Sequence, residues 1–287
     1  MPRQLSVVSP RSACPACHKP IAAYDNIPVL SWILLGAKCR HCKAPISPRY
    51  AIVELLTGLL FGLSYYVALH GTDVPGAPES YAVLAGAIKY AVCCFLLVGL
   101  IFTDAETKLL PDLLTKPGIV LGLVFSLFVK MPEPPRLLFE GKLSGWALSL
   151  ANSTAGAIFG SAFLLGIALL YQAVRGVEGM GRGDVKLMAL IGAFLGMWLT
   201  LLVLVLGTLV GTIFGVLMIV VVWRKRLARR RVRRSEPPAV ARARAWQSAT
   251  LIYRHFQIPF GVFLGTAALV ALFCGSRLLS WYLGLYQ

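Results

Sequence analysis

"LTLLVLVLGTLVGTIFGVLMIVVV" (199–222) contains no charged side chain, and the strongly basic "WRKRLARRRVRR" (223–234) follows it at once. The first stretch exceeds the ~20 apolar residues that a helix needs to cross a bilayer. Six more runs approach that length, at about 51–69, 82–103, 113–130, 153–173, 185–197 and 259–280. The run at 185–197 is short and starts beside an aspartate, as a tilted or partly re-entrant segment would. Core helices of a large soluble protein mimic one or two such runs, not seven. Composition agrees: 57% of residues are apolar, 14% are charged and the mean hydropathy is +0.74, all far from soluble averages. The expected fold is an all-α polytopic membrane protein with about seven transmembrane helices and a small polar domain in front of them.

That domain is residues 1–49, with residues 50–287 as the membrane domain. Residues 1–49 lack the 7–15-residue apolar core of a cleavable signal. The net charge of +16 is unevenly spread, and 23 of the 28 Lys and Arg fall in 1–49 and the loops that would share its side. Basic loops stay cytoplasmic, so the expected topology has the N-terminus inside and the C-terminus outside. The loop 223–257 alone carries eleven of these residues. A run of this kind can bind nucleic acid. Directly after a span it reads instead as an anchor beside anionic lipid headgroups, so membrane lipids, not nucleic acid, are the expected partners. "SEPPAVARARA" (235–245) reads as a flexible linker.

Four of the seven cysteines form two pairs, Cys14-x-x-Cys17 and Cys39-x-x-Cys42, with 21 residues between them. Each pair can place two thiolates on one tight knuckle, and two knuckles complete the tetrahedral four-sulfur shell that zinc favours. Disulfides or a redox pair are the alternative; a reducing cytoplasm favours metal. About 50 residues bury little core, so the metal would supply much of the domain's folding free energy. Four cysteines leave no open position for water, which makes the expected site structural. His18 and His41 adjoin the pairs as substitute ligands, and Cys93, Cys94 and Cys274 read as buried packing residues inside spans.

Few acids border the spans. Asp104 ends the second run in "LIFTDAETKLLPD" (100–112), and Asp184 begins the fifth in "GMGRGDVKLM" (179–188). The expected topology puts both at the cytoplasmic face, where an ionisable group is expensive enough to suggest function. Asp184 can instead cap a helix, and Asp104 can pair with Lys108. Two carboxyls held close cannot both ionise cheaply, so such a pair shares one proton. One then takes a proton from water while the other polarises a peptide carbonyl, which is aspartic proteolysis. Gly179, Gly181 and Gly183 would let a substrate backbone approach.

At this point the sequence resembles the prepilin peptidases, membrane aspartic proteases with a G-x-G-D motif that serve type IV pili and type II secretion. The resemblance is carried by residues 14–58, "TDAETKLLPD" (103–112), "GMGRGDVKLMALIGAFLG" (179–196) and "IPFGVFLG" (258–265). It implies a bacterial inner-membrane, multi-pass enzyme that cuts a basic leader from prepilins or pseudopilins. It also implies that many members methylate the new N-terminus with S-adenosylmethionine. By motif position Asp104 and Asp184 become the catalytic pair, and Cys14, Cys17, Cys39 and Cys42 the zinc ligands. Gly181 and Gly183 would line the substrate. Arg49 and Glu54 would contact the leader or the new amine, structural pairing being the alternative. No glycine-rich loop after a strand marks a methyl-donor site, so methylation rests on the resemblance alone. Family members commonly carry one more hydrophobic helix ahead of the cysteine domain, for which no run in 1–49 qualifies, and Ala51 stands where proline is usual.

Asp112 rivals Asp104. It follows Pro111 where a helix should open, and asparagine, which caps but does no acid–base work, often fills this place in the family. Two other classes were weighed: a membrane thiol oxidoreductase using the C-x-x-C pairs, and a zinc-regulated transporter using intramembrane acids. The first needs its thiols at the oxidising face, and the second needs mid-span polar residues that are scarce here. Oligomeric state is left open.

Overall fold

The computed structural model describes residues 13–71, 79–129, 145–177, 181–234, 237–255 and 259–284. Among these residues the regular structure is helical apart from two isolated β-bridges. A helix satisfies its backbone internally, which an apolar layer requires. By packing, the chain divides into residues 1–98 and 99–287.

In the first unit, the cysteine-bearing segment carries a 3-10 turn at Ala23–Asn26 and a short helix α1 (Leu30–Leu34). It leads into α2 (Pro48–Gly71), which is followed by α3 (Glu79–Thr107). Ser47 Oγ accepts the Arg49 N–H at 3.3 Å, and Pro48 takes the first helical position, where its missing N–H costs nothing. Ser64 on α2 meets Cys94 on α3, and Cys93 and Cys94 are fully buried as expected. Cys274, expected to be buried too, is exposed. Among the described residues of this unit Lys89 is the one buried charged side chain, with its Nζ 5.9 Å from the Tyr90 ring centre.

The second unit holds the end of α3, then α4 (Asp112–Phe128), α5 (Gly145–Arg175), α6 (Arg182–Leu195) and α7 (Met197–Arg234). It closes with α8 (Pro238–His255) and α9 (Phe260–Gly284). Helix α6 is the centre, packed by α4, α5, α7 and α9, with every residue from Leu190 to Leu195 buried. Without a hydrophobic drive between helices in lipid, close packing of small residues substitutes for it. Gly156 on α5 backs directly onto Gly192 on α6: a methyl group on Gly156 would lie 2.7 Å from Gly192 O. At the end of α6 the chain turns on Gly196 alone (φ +77°), a backbone state that suits glycine. Asn152 Oδ1 accepts the Met197 N–H there at 3.0 Å, and Ser153 Oγ donates to Ala193 O at 2.6 Å. These α5 side chains lock both sides of the α6–α7 turn.

Two expectations read differently in the structure. Five helices among the described residues are long and apolar enough to cross a membrane, so the expected count of seven is not confirmed. In the places of the third and fifth expected spans stand α4, with 17 residues, and α6, with 14. At 1.5 Å per residue α6 reaches only about 21 Å, short of a ~30 Å hydrocarbon layer. The basic loop expected at 223–257 is also largely helical: α7 runs on through the arginines to Arg234, and the supposed linker opens α8 at Pro238. Alanine and arginine are strong helix formers, and a proline at the first position starts a helix instead of breaking one. The two helices form an antiparallel pair, with Ala241 and Ala245 fully buried and Trp223 and Trp246 meeting edge to face at 6.5 Å.

Candidate active site and metal centre

The metal centre is built by one local device used twice. In the first knuckle Cys14 O accepts the His18 N–H, and the Cys14 N–H donates to Lys19 O. In the second, Cys39 O accepts the Lys43 N–H, and the Cys39 N–H donates to Ala44 O. His18 and Lys43 occupy the same left-handed conformation, at φ 56° and 57°, and each loop is closed by a β-bridge to a proline, Pro20 or Pro45. The pairing brings the four sulfurs of Cys14, Cys17, Cys39 and Cys42 within 4.8 Å of one another. The Cys14 and Cys42 sulfurs are 3.7 Å apart. A tetrahedral zinc with ~2.3 Å bonds to sulfur needs ligands about 3.8 Å apart, so the Cys14–Cys42 spacing already suits zinc and the set as a whole lies within about 1 Å of it. Backbone N–H groups of Cys17 and Ala16 lower the Cys14 thiol to about 6. The Ala44 N–H also favours the Cys42 thiolate, but burial and the neighbouring thiols outweigh it and push Cys42 up to about 11. Four crowded thiols cannot all ionise together, which is the repulsion that a divalent cation relieves.

A salt bridge braces the knuckles. Arg40, between Cys39 and Cys42, holds both carboxylate oxygens of Asp25, with Nε to Oδ2 at 2.7 Å and Nη2 to Oδ1 at 2.6 Å. That grip holds Asp25 below its ordinary value of 3.8 and raises Arg40. Trp32 Nε1 donates to Ile46 O at 3.1 Å. Glu54 on α2 accepts the Val29 N–H at 2.8 Å, at a residue with φ +60°. Glu54 thus pins the knuckle segment to α2. The Arg49 backbone belongs to the α2 cap, as described above.

The second constellation lies within the second unit. Asp104 sits in the last turn of α3, and the α3 helix stops at Lys108, whose φ of 55° reverses the chain. Asp184 sits in the first turn of α6, behind the capping residue Gly181. Asp104 is 4% exposed and Asp184 8%, a depth at which carboxyls are rare. Both adjoin glycines that reach Leu110, Gly183 beside Asp184 and Gly261 beside Asp104. Asp104 Oδ2 accepts the Val262 N–H at 3.0 Å, and the neighbouring Gly261 lies against the same carboxyl. Asp184, by contrast, accepts no hydrogen bond from any described residue, and no side chain caps α6. Capping therefore does not account for its burial.

Leu110 packs against Gly183, the residue before Asp184, and against Gly261, which lies beside Asp104. A methyl group on Gly183 would meet Leu110 Cβ at 3.0 Å, and one on Gly261 would meet Leu110 Cδ1 at 3.3 Å. Gly183 packs on Leu110, whereas Gly181 is exposed and looks onto Asp184 Oδ2 across 3.9 Å of space. Gly179, the third glycine of the motif, lies outside the described residues. Asp112 is placed differently. It is 45% exposed at the start of α4 and is engaged by Lys116 at 2.9 Å and by Lys186 of α6. Both lysines hold it below its ordinary carboxylate value.

The sequence reading missed the first turn of α9. Gly261 and Val262 belong to the quoted "IPFGVFLG", and a glycine two residues after Pro259 at a helix start was the signal available. It also missed the Asp25–Arg40 brace, whose members are fifteen residues apart.

These features define a polytopic helical membrane protein with two buried carboxyls at helix ends and, earlier in the chain, a four-cysteine cluster that could hold a metal. The chain belongs to the type IV leader peptidase family, whose description matches residues 90–216, with the bacterial peptidase A24 N-terminal domain matching residues 1–68. It is 35% identical over 278 residues to an Aeromonas hydrophila protein named prepilin leader peptidase/N-methyltransferase, covering 97% of this chain and 76% of that one. A Pseudomonas aeruginosa protein of the same name is 36% identical over the same length, again covering 97% of this chain and 76% of its own. A Neisseria gonorrhoeae protein of that name is 38% identical over 193 residues, covering 67% of this chain and 57% of its own. No solved structure matches the chain.

Proposed function

We propose that the chain is a membrane aspartic endopeptidase that removes the basic leader of prepilins or pseudopilins and methylates the N-terminus it exposes. The observation that carries this reading is the pair of buried acids, Asp104 at the end of α3 and Asp184 at the start of α6, whose neighbours Gly261 and Gly183 share Leu110. In the proposed step, one carboxylate takes a proton from water as its oxygen attacks the scissile carbonyl carbon. The partner's proton passes to the carbonyl oxygen, giving a neutral gem-diol. Collapse breaks the C–N bond: the first acid returns its proton to the leaving amine, and the partner recovers its own from a diol hydroxyl. The open side of Gly181 beside Asp184 would admit the substrate backbone, with Gly183 holding the Leu110 wall.

Asp112, paired with two lysines and exposed, would tie α4 to α6. The reading places the site at the cytoplasmic face of a bacterial inner membrane, where the positive-inside rule puts both acids and where a basic leader would remain while the pilin's apolar helix lies in lipid. Residues 1–49 are taken as the zinc domain and 50–287 as the peptidase domain. Zinc would be held by Cys14, Cys17, Cys39 and Cys42 as a structural ion. The methyl donor would be S-adenosylmethionine. Arg49 and Glu54, at the junction of knuckles and α2, are the charged groups proposed to meet the leader or new amine.

The test is incubation of the purified membrane protein with a prepilin, with and without S-adenosylmethionine, read by mass. Loss of the leader, followed by a one-methyl gain with the cofactor, supports the reading. An intact prepilin contradicts it, and a cleaved but unmodified pilin removes the methylation half.

A further inference from the structure

Asp104 is reached by a helix that is far away in sequence. Helix α9 begins at Phe260, so Gly261 and Val262 lie in its first turn, where backbone N–H groups have no acceptor inside the helix. Such orphan donors need a partner, and Asp104 supplies it through Oδ2, 158 residues away from Val262. The approach is possible only because Gly261 has no side chain: a methyl group there would lie 2.8 Å from Asp104 Oδ2 and 3.1 Å from its Cγ. The same helix is held against α3 one turn further on, where Gly265 faces Ile101. Asp184 has no comparable anchor among the described residues.

We infer that the first turn of α9, through the Val262 N–H and the close approach that Gly261 allows, is a positioning element for the cleavage reaction. It fixes the Asp104 carboxyl by Oδ2 and leaves Oδ1 for water and substrate. This rests on the peptidase reading above. It gives the α9 turn a role that neither acid can fill: one carboxyl is immobilised from a third helix, while the other is free to hydrogen-bond to substrate.

The geometry sets the test. In Gly261→Ala the clashing atom is the far end of an aspartate side chain, so the fold survives and the carboxyl moves by about 0.6 Å to restore a 3.4 Å contact. Displacements of ~1 Å at a reacting group cost up to about 10²-fold in rate. Full-length Gly261→Ala in detergent should therefore lose roughly ten- to a hundredfold in kcat for prepilin cleavage, with KM within about twofold. Val262→Pro removes the donor at a position where a helix tolerates proline, and it should behave the same way. Val270→Ala, exposed two turns along α9, serves as the unaffected control.

Methylation of an already leader-free pilin should be unchanged in every variant, which reports an intact fold. Wild-type cleavage by Gly261→Ala overturns the inference. So does a parallel loss of cleavage and methylation in both variants, which would make the turn merely structural. A failure of the peptidase reading shows itself differently, as absence of cleavage by the wild-type protein.

Discussion

The crossing of α5 and α6 gives a packing prediction that reaches the candidate site. Gly156 faces two backbone atoms of the α6 end, and a methyl group there would lie 2.7 Å from Gly192 O and 2.7 Å from Gly196 C. Ordinary contact begins near 3.4 Å, so Gly156→Ala must part the helices by about 0.7 Å. Neither neighbour is a side chain that can swing aside. Overpacking of this kind costs about 1–3 kcal/mol. Because α6 is a rigid helix with Asp184 in its first turn, the shift is transmitted to the carboxyl. On the scale of about 10²-fold per ångström of misplacement, cleavage should fall roughly tenfold or more. The comparison is Gly166→Ala on the same α5, where no atom lies within 4 Å of the added methyl and the helix gains about 0.5–1 kcal/mol. Thermal midpoints in detergent and prepilin cleavage by mass read both effects. If Gly156→Ala melts and cleaves like Gly166→Ala, the tight crossing and its link to Asp184 are wrong.

Three further outcomes are expected. Metal analysis should find one zinc per chain, and Cys39→Ser should lose it and unfold residues 13–47. Because the thiols must shed protons to bind, and Cys42 starts near 11, zinc affinity should rise with pH, as competition with a chromophoric chelator would show. Asp25→Asn should lower the melting point of the knuckle segment at neutral pH. Arg40 depresses Asp25, so its stabilisation is present above 3.8 and lost as pH falls through the lower folded value; the gap between variant and parent should close in acid. Asp112→Asn breaks the exposed pairs with Lys116 and Lys186 and should keep most cleavage activity, with at most about 1 kcal/mol of stability lost.

The membrane class and the knuckles were legible in the sequence, because a long apolar run and a C-x-x-C pair each carry their physics locally. The four sulfurs converge through two copies of one eight-residue loop, Ala13–Pro20 and Lys38–Pro45, which the repeated Cys-x-x-Cys spacing encodes. The number of crossings was not legible. The run at 185–197 is as apolar as a span, but its helix is 14 residues long and buried by neighbouring helices, and apolarity alone does not distinguish the two. The α8 helix was not legible because Pro-Pro and dense charge are also what a linker carries, although alanine and arginine favour helix. Asp104 and Asp184 could be picked out as acids at span ends. What holds them could not: the donor to Asp104 is a backbone group 158 residues away, and backbone carries no sequence signature beyond the glycine that lets it approach.

The central claim is that Asp104 and Asp184 are one catalytic unit. The most direct measurement is prepilin cleavage by purified Asp104→Asn, Asp184→Asn and the double variant, each shown to be folded by zinc content and melting point. An amide preserves shape but cannot share the proton, so each single variant should lose cleavage by orders of magnitude, and the double should be no worse than either. Normal cleavage by Asp184→Asn would contradict the account. So would normal cleavage by Asp104→Asn with loss in Asp112→Asn, which would move the second carboxyl to the start of α4.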